Sequence, residues 1–135
     1  MSESDEPIDG CIARWHQHVH GTLPGGLDSL LHEECVFLSP IVFTPQRGRE
    51  ITKLYLRAAG NTLTDAFRYT TEIRQGHHAM LEFETEVDGK YANGVDIITC
   101  DDEAMITEFR VMVRPLQAVN LVHQQMKGML EQMAP

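Results

Sequence analysis

The sequence has few basic residues and no basic run. Its 135 residues contain 11 Lys and Arg against 20 Asp and Glu, a formal net charge of −9. Nucleic-acid binding depends on neutralising phosphates with Lys and Arg, so this charge works against it. We therefore expect no nucleic-acid partner.

Long apolar segments are also missing. No run approaches the roughly 20 residues that a bilayer span requires. The acidic start, residues 1–6, lacks the basic region of a signal peptide. We expect a cytoplasmic protein with no membrane contact, formed by one domain over residues 1–135 with residues 1–6 as a flexible acidic tail.

Cysteine is scarce, and its spacing suggests no metal site. Cys11, Cys35 and Cys100 are odd in number and form no close pair, which argues against a disulfide framework or a zinc knuckle. The histidines at 16, 18 and 20 alternate along a predicted helix and splay around it, so they do not converge on one metal ion. No P-loop, GxSxG or HExxH motif occurs. We expect no metal and no cofactor.

Three segments have the apolar period of amphipathic helices. Apolar residues recur at intervals of three or four in 8–19, 51–58 and 116–133. Pro7 suits the first turn of the first helix, residues 21–26 end it, and Gly60-Asn61 ends the second. Residues 28–32 are predicted as one or two helical turns, and 35–38 as a short strand stopped by Pro40.

The period changes to two in the second half of the chain. Apolar and polar residues alternate in 67–74, 81–87 and 105–113, which predicts three strands with one face toward a core, and residues 91–99 are predicted as a fourth strand between the last two. Gly76, the pair Asp88-Gly89 and residues 100–103 supply the turns, and Pro115 ends the last strand. Three consecutive hairpins follow from this pattern.

Helices ahead of an antiparallel meander indicate an α+β domain. We expect a cone-shaped α+β barrel in which the N-terminal helices pack in a curved, mainly antiparallel sheet, with a C-terminal helix. Outward positions of the sheet carry both charge signs, which suits cross-strand ion pairs or a homodimer interface on this outer face. These positions are Arg68, Thr70, Glu72, Glu82, Glu84, Glu86, Glu108 and Arg110.

Asp96 interrupts the apolar pattern of its strand. If the following turn is centred on Asp101-Asp102, Asp96 opposes Thr107 and shares the inner face with Phe109. If that turn has three residues, Asp96 instead joins Glu108 on the outer face. We prefer the first register, which turns a carboxyl group toward an apolar interior.

An inward carboxyl group loses hydration when it is charged, so its pKa rises and it can hold a proton near neutral pH. It could then donate a hydrogen bond to a carbonyl or an oxyanion. The alternative is a structural role, in which Asp96 accepts hydrogen bonds from a helix terminus, from the ring nitrogen of Trp15 or from a histidine.

The order of elements carries a family resemblance. Leu38-Ser39-Pro40, followed by Gly48-Arg49-Glu50 at the start of a helix with Leu54-Tyr55, resembles the SnoaL-like part of the nuclear transport factor 2-like superfamily. The resemblance spans nearly the whole chain and implies the fold described above. It does not choose among enzymes such as ketosteroid isomerase, limonene epoxide hydrolase and polyketide cyclases, or noncatalytic binding modules.

Two members of that group can be compared residue by residue. In ketosteroid isomerase the oxyanion-hole tyrosine corresponds to Trp15, the general-base aspartate to Ser39 and the protonated aspartate to Asp96. Only the last match retains its chemistry, which argues against steroid isomerisation by that mechanism. The arginine flanked by two aspartates of limonene epoxide hydrolase is not reproduced, because 81–87 offers only glutamates and Arg110 does not restore the set.

Two functions stay open. The first is a cofactor-independent enzyme acting on an apolar or polyketide-like molecule as an isomerase, cyclase, dehydratase or epoxide hydrolase. Asp96 is then the catalytic acid or base, His18 a proton carrier, and the pocket residues are Trp15, Ser39, Tyr55, Phe83 and Phe109. The second is a noncatalytic dimer that binds a hydrophobic ligand or a partner protein.

Overall fold

The computed structural model describes residues 6–62 and 66–133, without the side chains of 60–62, 129, 130, 132 and 133. Most of the predicted tail, residues 1–5, lies outside this description. The described chain has three helices and six strands. The helices are α1 (Pro7–Val19), α2 (Arg49–Thr62) and α3 (Leu116–Met133). The strands are β1 (Leu31–Leu38), β2 (Gln46–Arg47), β3 (Arg68–Gln75), β4 (His78–Val87), β5 (Lys90–Cys100) and β6 (Ile106–Arg114).

The strands form one curved sheet in the order β2-β1-β6-β5-β4-β3. Strands β3 to β6 make the three predicted hairpins, and only β1 against β6 is parallel in the described sheet. Asp88 and Gly89 both have positive φ, 52° and 76°, as the tight turn between β4 and β5 requires. The predicted cone-shaped α+β architecture, with helices against a mainly antiparallel sheet, is confirmed.

Hydrogen bonds at both ends hold α1 across the inner face of the sheet. At its start, Ile8 N donates to Gly76 O at 3.1 Å, and Gly76 N donates to Glu6 Oε1 at 2.9 Å. Farther along, the Arg14 guanidinium donates to Ser29 O at 2.8 Å and to Ala104 O at 2.6 Å. The apolar stripe of α1 is therefore fixed against the sheet, and its last buried residue is Trp15.

Two apolar clusters fill the space between the helices and the sheet. The larger lies under α1 and contains Ile8, Ile12, Trp15, Leu81, Ile98 and Phe109. The smaller lies under α2 and α3 and contains Ala58, Val87, Ala92, Ala118, Val122 and Met126. The three cysteines are free and buried. Among the described residues, no helix is long and apolar enough to cross a membrane.

The boundaries of several elements differ from the prediction. The helical turn predicted at 28–32 lies earlier, as a short 3₁₀ helix over Gly26–Ser29, because β1 already begins at Leu31. The second helix does not end at Gly60-Asn61 but continues to Thr62. Glycine and asparagine have low helix propensities, but the free energy that each costs within a helix is smaller than the free energy that packing contributes. They are therefore weak signals for the end of a helix.

A bulge in β3 reverses the predicted facing of its second half. Tyr69 pairs with Phe83, but Thr71 pairs with Glu82, which shifts the register by one residue. Glu72 consequently opposes the buried Leu81, while Ile73 opposes Met80 and is 59% exposed on the outer face. A single extra residue in a strand turns every side chain after it to the opposite face of the sheet.

Candidate functional site

A cavity of about 710 Å³ opens between the inner face of the sheet and the helices. Its wall is mainly apolar and aromatic, with contributions from α1, α2, α3 and five strands. The aromatic lining residues are Trp15, Phe37, Phe67, Tyr69, Phe83 and Phe109, and the ionisable ones are His18, His20, Arg57, Tyr69 and Asp96. Such a space suits an apolar small molecule held by a few polar groups.

Glycine at position 94 gives the cavity its depth. Gly94 of β5 pairs with Phe83 of β4, and a Cβ atom at this position would lie 2.5 Å from Phe83 Cζ and 2.3 Å from Met112 O. No real Cβ contact is that short. The absence of a side chain therefore lets the Phe83 ring lie directly over the β5 backbone and line the cavity.

Asp96 lies on the inner face of β5, only 6% exposed, and lines the cavity. It opposes Leu81 on one side and Val111 on the other. The predicted pairing of Asp96 with Thr107 is wrong, because the loop after β5 is longer than two residues and a bulge follows Thr99. The shift is an even number of residues, so the inner face is retained.

Three side chains form a hydrogen-bonded chain along the cavity wall. Trp15 Nε1 donates to the Tyr69 hydroxyl at 2.9 Å, and that hydroxyl donates to Asp96 Oδ2 at 2.5 Å. No described residue forms a hydrogen bond with Oδ1 of Asp96. One carboxyl oxygen is therefore fixed by Tyr69, and the other is available to a molecule in the cavity.

Burial raises the pKa of Asp96 to about 7, and the hydrogen bond from Tyr69 opposes that rise. A substantial share of the molecules thus carries a protonated Asp96 near neutral pH. Burial also raises the pKa of Tyr69, and the charge of Asp96 adds to the effect, so the phenol stays protonated. The pair can donate hydrogen bonds within an apolar wall.

Tyr69 was not singled out as a site residue from the sequence. The alternation in 67–74 placed it on the inner face, but the pattern does not distinguish a tyrosine packed in a core from one that contacts a carboxyl group. Asp96 was expected either to meet a ligand or to bond with a helix terminus, Trp15 or a histidine. Instead Tyr69 lies between Trp15 and Asp96 and bonds to both.

His18 of α1 also lines the cavity and packs against Trp15, with ring centroids 5.1 Å apart and the ring planes tilted by 34°. Burial lowers the pKa of His18, and the positive charge of Arg57 lowers it further. The imidazole is therefore neutral at neutral pH and able to accept a proton. His18 and Asp96 thus combine, in one cavity, a candidate base with a candidate acid.

The other predicted site residues divide into two groups. Trp15, Phe83 and Phe109 line the cavity. Ser39 and Tyr55 are not among the described residues that line it. The Ser39 hydroxyl accepts hydrogen bonds from the backbone N–H groups of Ile41 and Val42, at 2.9 and 3.3 Å, and so stabilises a turn. Tyr55 stacks on Phe37 with ring centroids 4.9 Å apart.

Metal ligands are not grouped in the part of the chain that the structure describes. No cluster of three or more His, Cys, Asp or Glu side chains there has the geometry to hold a metal ion. His16, which alternates with His18 along α1, bonds instead to Glu72 at 2.7 Å.

Comparison with known proteins gives clear structural relatives. No protein-family model and no curated protein matches the sequence. A steroid delta-isomerase from Pseudomonas aeruginosa is 26% identical, with 98% of each chain covered and a TM-score of 0.87. A bacterial protein with a cystatin-like fold from Silicibacter pomeroyi is 29% identical, covering 87% of this chain and 83% of that one, with a TM-score of 0.78.

An NTF2-like protein of unknown function from Mesorhizobium loti is 19% identical, covers 85% of this chain and 97% of its own, and has a TM-score of 0.70. At that identity the likeness concerns the fold alone. The likenesses extend over most of the chain. The chain therefore has the fold of nuclear transport factor 2-like proteins, and this fold is shared by a steroid delta-isomerase and a SnoaL-like polyketide cyclase.

Proposed function

We propose that the protein is a cofactor-independent enzyme that moves a proton on an apolar, carbonyl-bearing small molecule. The observation that carries this proposal is the buried Asp96 at the wall of an apolar cavity, with one oxygen held by Tyr69 and a pKa raised to about 7. A neutral carboxylic acid in that setting donates a hydrogen bond to a carbonyl oxygen and stabilises the negative charge that develops there.

In the proposed reaction, the substrate carbonyl oxygen accepts a hydrogen bond from protonated Asp96. A ring nitrogen of neutral His18 takes a proton from the carbon next to the carbonyl, and the electrons of that C–H bond form the enolate. The same proton then returns to a different carbon, which moves the double bond. The reaction is an isomerisation, and it consumes no oxidant, reductant or water.

Isomerisation is favoured over the other reactions of this group. The likeness to a steroid delta-isomerase covers almost the whole chain. Cyclases and dehydratases can share an enolate intermediate, so they are the nearest alternatives. The position of Ser39 in a turn supports a base other than residue 39, and His18 is the neutral ring that lines the cavity.

The proposal is tested by hydrogen exchange on a ketone. Androstanedione, an apolar steroid diketone, is incubated in deuterated buffer with the protein, and deuterium uptake beside the carbonyl is followed by mass spectrometry. We expect uptake clearly faster than in buffer, because enolisation is the first half of the reaction and does not require the natural substrate.

A variant that fills the cavity serves as the matched control. Ala59 lines the cavity on α2, and Ala59→Trp should abolish uptake while leaving Asp96 and His18 in place. If the wild type gives no uptake although the steroid binds, the enzyme proposal is wrong.

That last outcome would favour the second candidate, a noncatalytic dimeric module that binds a hydrophobic ligand. Its specific support is the side chain of Ser39, which bonds within its own loop, so that Asp96 is the one carboxyl group among the described lining residues. Binding without turnover across a panel of ketones would identify this function.

For the assembly, we propose a homodimer formed through the outer face of the sheet. Apolar side chains are exposed on this face, where Ile73, Tyr91 and Met112 are 59%, 53% and 49% exposed. Half-buried Val95 and Ile97 belong to the same face, and Arg68, Glu84, Glu108 and Arg110 surround them. An apolar centre with both charge signs around it can pair with a second copy of itself.

Replacing Ile97 with arginine should convert the dimer to a monomer, because two copies would bring like charges together on the apolar centre. The molar mass is measured by light scattering after size exclusion. Phe43→Arg is the matched control, since Phe43 is 99% exposed in the β1–β2 loop and removed from this face. A wild type that is monomeric at high concentration would contradict the proposal.

A further inference from the structure

The cavity is lined by more basic than acidic side chains. Arg57 of α2 and His20 beyond α1 are exposed at its opening, and His18 lies half-buried beside them. Among the described lining residues, the one acidic side chain is Asp96, which lies deep in the wall. In a chain with a net charge of −9, Arg57 therefore places a permanent positive charge at the opening of the cavity.

Arg57 differs from the other basic residues of its helix. Arg49 and Lys53 precede it at intervals of four residues, and both face Asp28, at 3.8 and 2.8 Å. Among the described residues, no carboxylate lies within 4 Å of Arg57, although the charge of Arg57 also helps to lower the pKa of Asp28. Its charge nevertheless acts on the cavity, because it contributes to the lowered pKa of His18.

We propose that the natural ligand is an apolar carbonyl compound with one carboxylate group, which pairs with Arg57 at the opening while the carbonyl end reaches Asp96. This inference rests on the proposed function and narrows its substrate class. The planar guanidinium presents two parallel N–H donors to a carboxylate, a geometry that no other described lining residue offers. Apolar contacts with Phe37, Phe83 and Phe109 would hold the body of the ligand between the two ends.

The ion pair contributes selectivity and orientation more than affinity. Arg57 is exposed to solvent, so an ion pair there is screened, and its contribution corresponds to about a fivefold change in Kd at most. That preference still decides which end of an elongated molecule enters first, because the carboxylate is poorly accommodated beside buried, acidic Asp96.

The experiment compares dehydrocholate, a steroid triketone with a terminal carboxylate, with its methyl ester. Kd is measured for both by isothermal titration calorimetry at low ionic strength. We expect the wild type to bind the carboxylate about fivefold more tightly than the ester, an effect the size of one exposed ion pair. In Arg57→Met the two Kd values should become equal through weaker binding of the carboxylate, with the ester unchanged.

Two further variants test whether the charge of Arg57 causes the preference for the carboxylate over the ester. Arg57→Lys retains the charge and should keep part of the preference. Arg47→Met removes an exposed arginine of β2 that does not line the cavity, and it should keep all of the preference. High salt should reduce the preference in the wild type, since screening weakens an exposed ion pair.

The outcomes separate this inference from the proposed function. If the wild type binds acid and ester equally, or if Arg57→Met retains the wild-type preference, the inference is wrong while the proposed function stands. If neither compound binds but androstanedione undergoes exchange, the inference alone is again overturned. If neither binds, and androstanedione binds without exchange, both are overturned.

Discussion

Replacing Asp96 with asparagine is expected to raise the free energy of unfolding by about 4 kcal/mol at about pH 8 and to leave it nearly unchanged at about pH 4. The carboxyl group has a pKa of about 7 in the folded protein, raised from 3.8 by burial. Each unit of that difference is worth about 1.4 kcal/mol, and the total is an upper value because local opening to water reduces it.

The sign of the stability change depends on whether the folded or the unfolded protein binds the proton of Asp96 more tightly. Because the folded pKa is higher than the unfolded one, Asp96 contributes full stability below about pH 4 and progressively loses it as pH rises through about 7. Asparagine has nearly the same shape as aspartate but carries no charge, so the variant does not lose stability in this way as the pH rises. Urea unfolding of both proteins between about pH 4 and pH 8 measures the difference between their free energies of unfolding.

Tyr69→Phe provides the matched control for this prediction. It removes the hydroxyl that bonds to Asp96 but retains the buried carboxyl group. The Tyr69 hydrogen bond lowers the pKa of Asp96, so its loss should leave the pH dependence of stability in place or increase it. If wild type and Asp96→Asn change in parallel with pH, Asp96 is not the buried acid described here.

The sequence was sufficient for the fold because hydrophobic period and turn chemistry are local properties. Asp88-Gly89 specified one hairpin, and alternation specified three of the four long strands. The position of a β-bulge does not follow from these local properties. The extra residue in β3 moved Ile73 to the outer face, and the longer loop after β5 changed the partner of Asp96 from Thr107 to Val111.

The site could be predicted only in part. Asp96 stood out because a charged residue in an apolar stripe has a physical cost that sequence reveals. Tyr69 and Arg57 did not stand out, because each becomes a site residue only through where its neighbours lie. Ser39 and Tyr55 were chosen through the family resemblance, and their side chains contact the local loop and Phe37 rather than the cavity.

The deuterium uptake catalysed by the wild type should depend on pH with a maximum. Exchange needs neutral His18, so the rate rises with pH through the lowered pKa of that histidine. It also needs protonated Asp96, so the rate falls above about pH 7. Because burial raises the pKa of Asp96 above the lowered pKa of His18, both groups are in their active forms in the interval between the two pKa values.

Asp96→Asn should reduce kcat/KM for exchange by about 10²-fold near the maximum, the usual cost of weakening one donor to a developing oxyanion. The amide still donates a hydrogen bond but is far less acidic than a carboxylic acid. The fall in rate above about pH 7 should disappear in this variant, because asparagine does not titrate. Loss of the high-pH fall distinguishes a catalytic acid from a residue that only supports the fold.

His18→Gln is the complementary test on the other side of the maximum. It should slow exchange and remove the rise at low pH while leaving the fall above about pH 7, because Asp96 still titrates. His20→Gln is its control: His20 also lines the cavity, but it lies exposed at the opening and is not the proposed base. If Asp96→Asn keeps both limbs of the wild-type profile, the acid is another group. If His18→Gln keeps both limbs of the profile, a different base forms the enolate, and His18 is not the proton acceptor of the cavity.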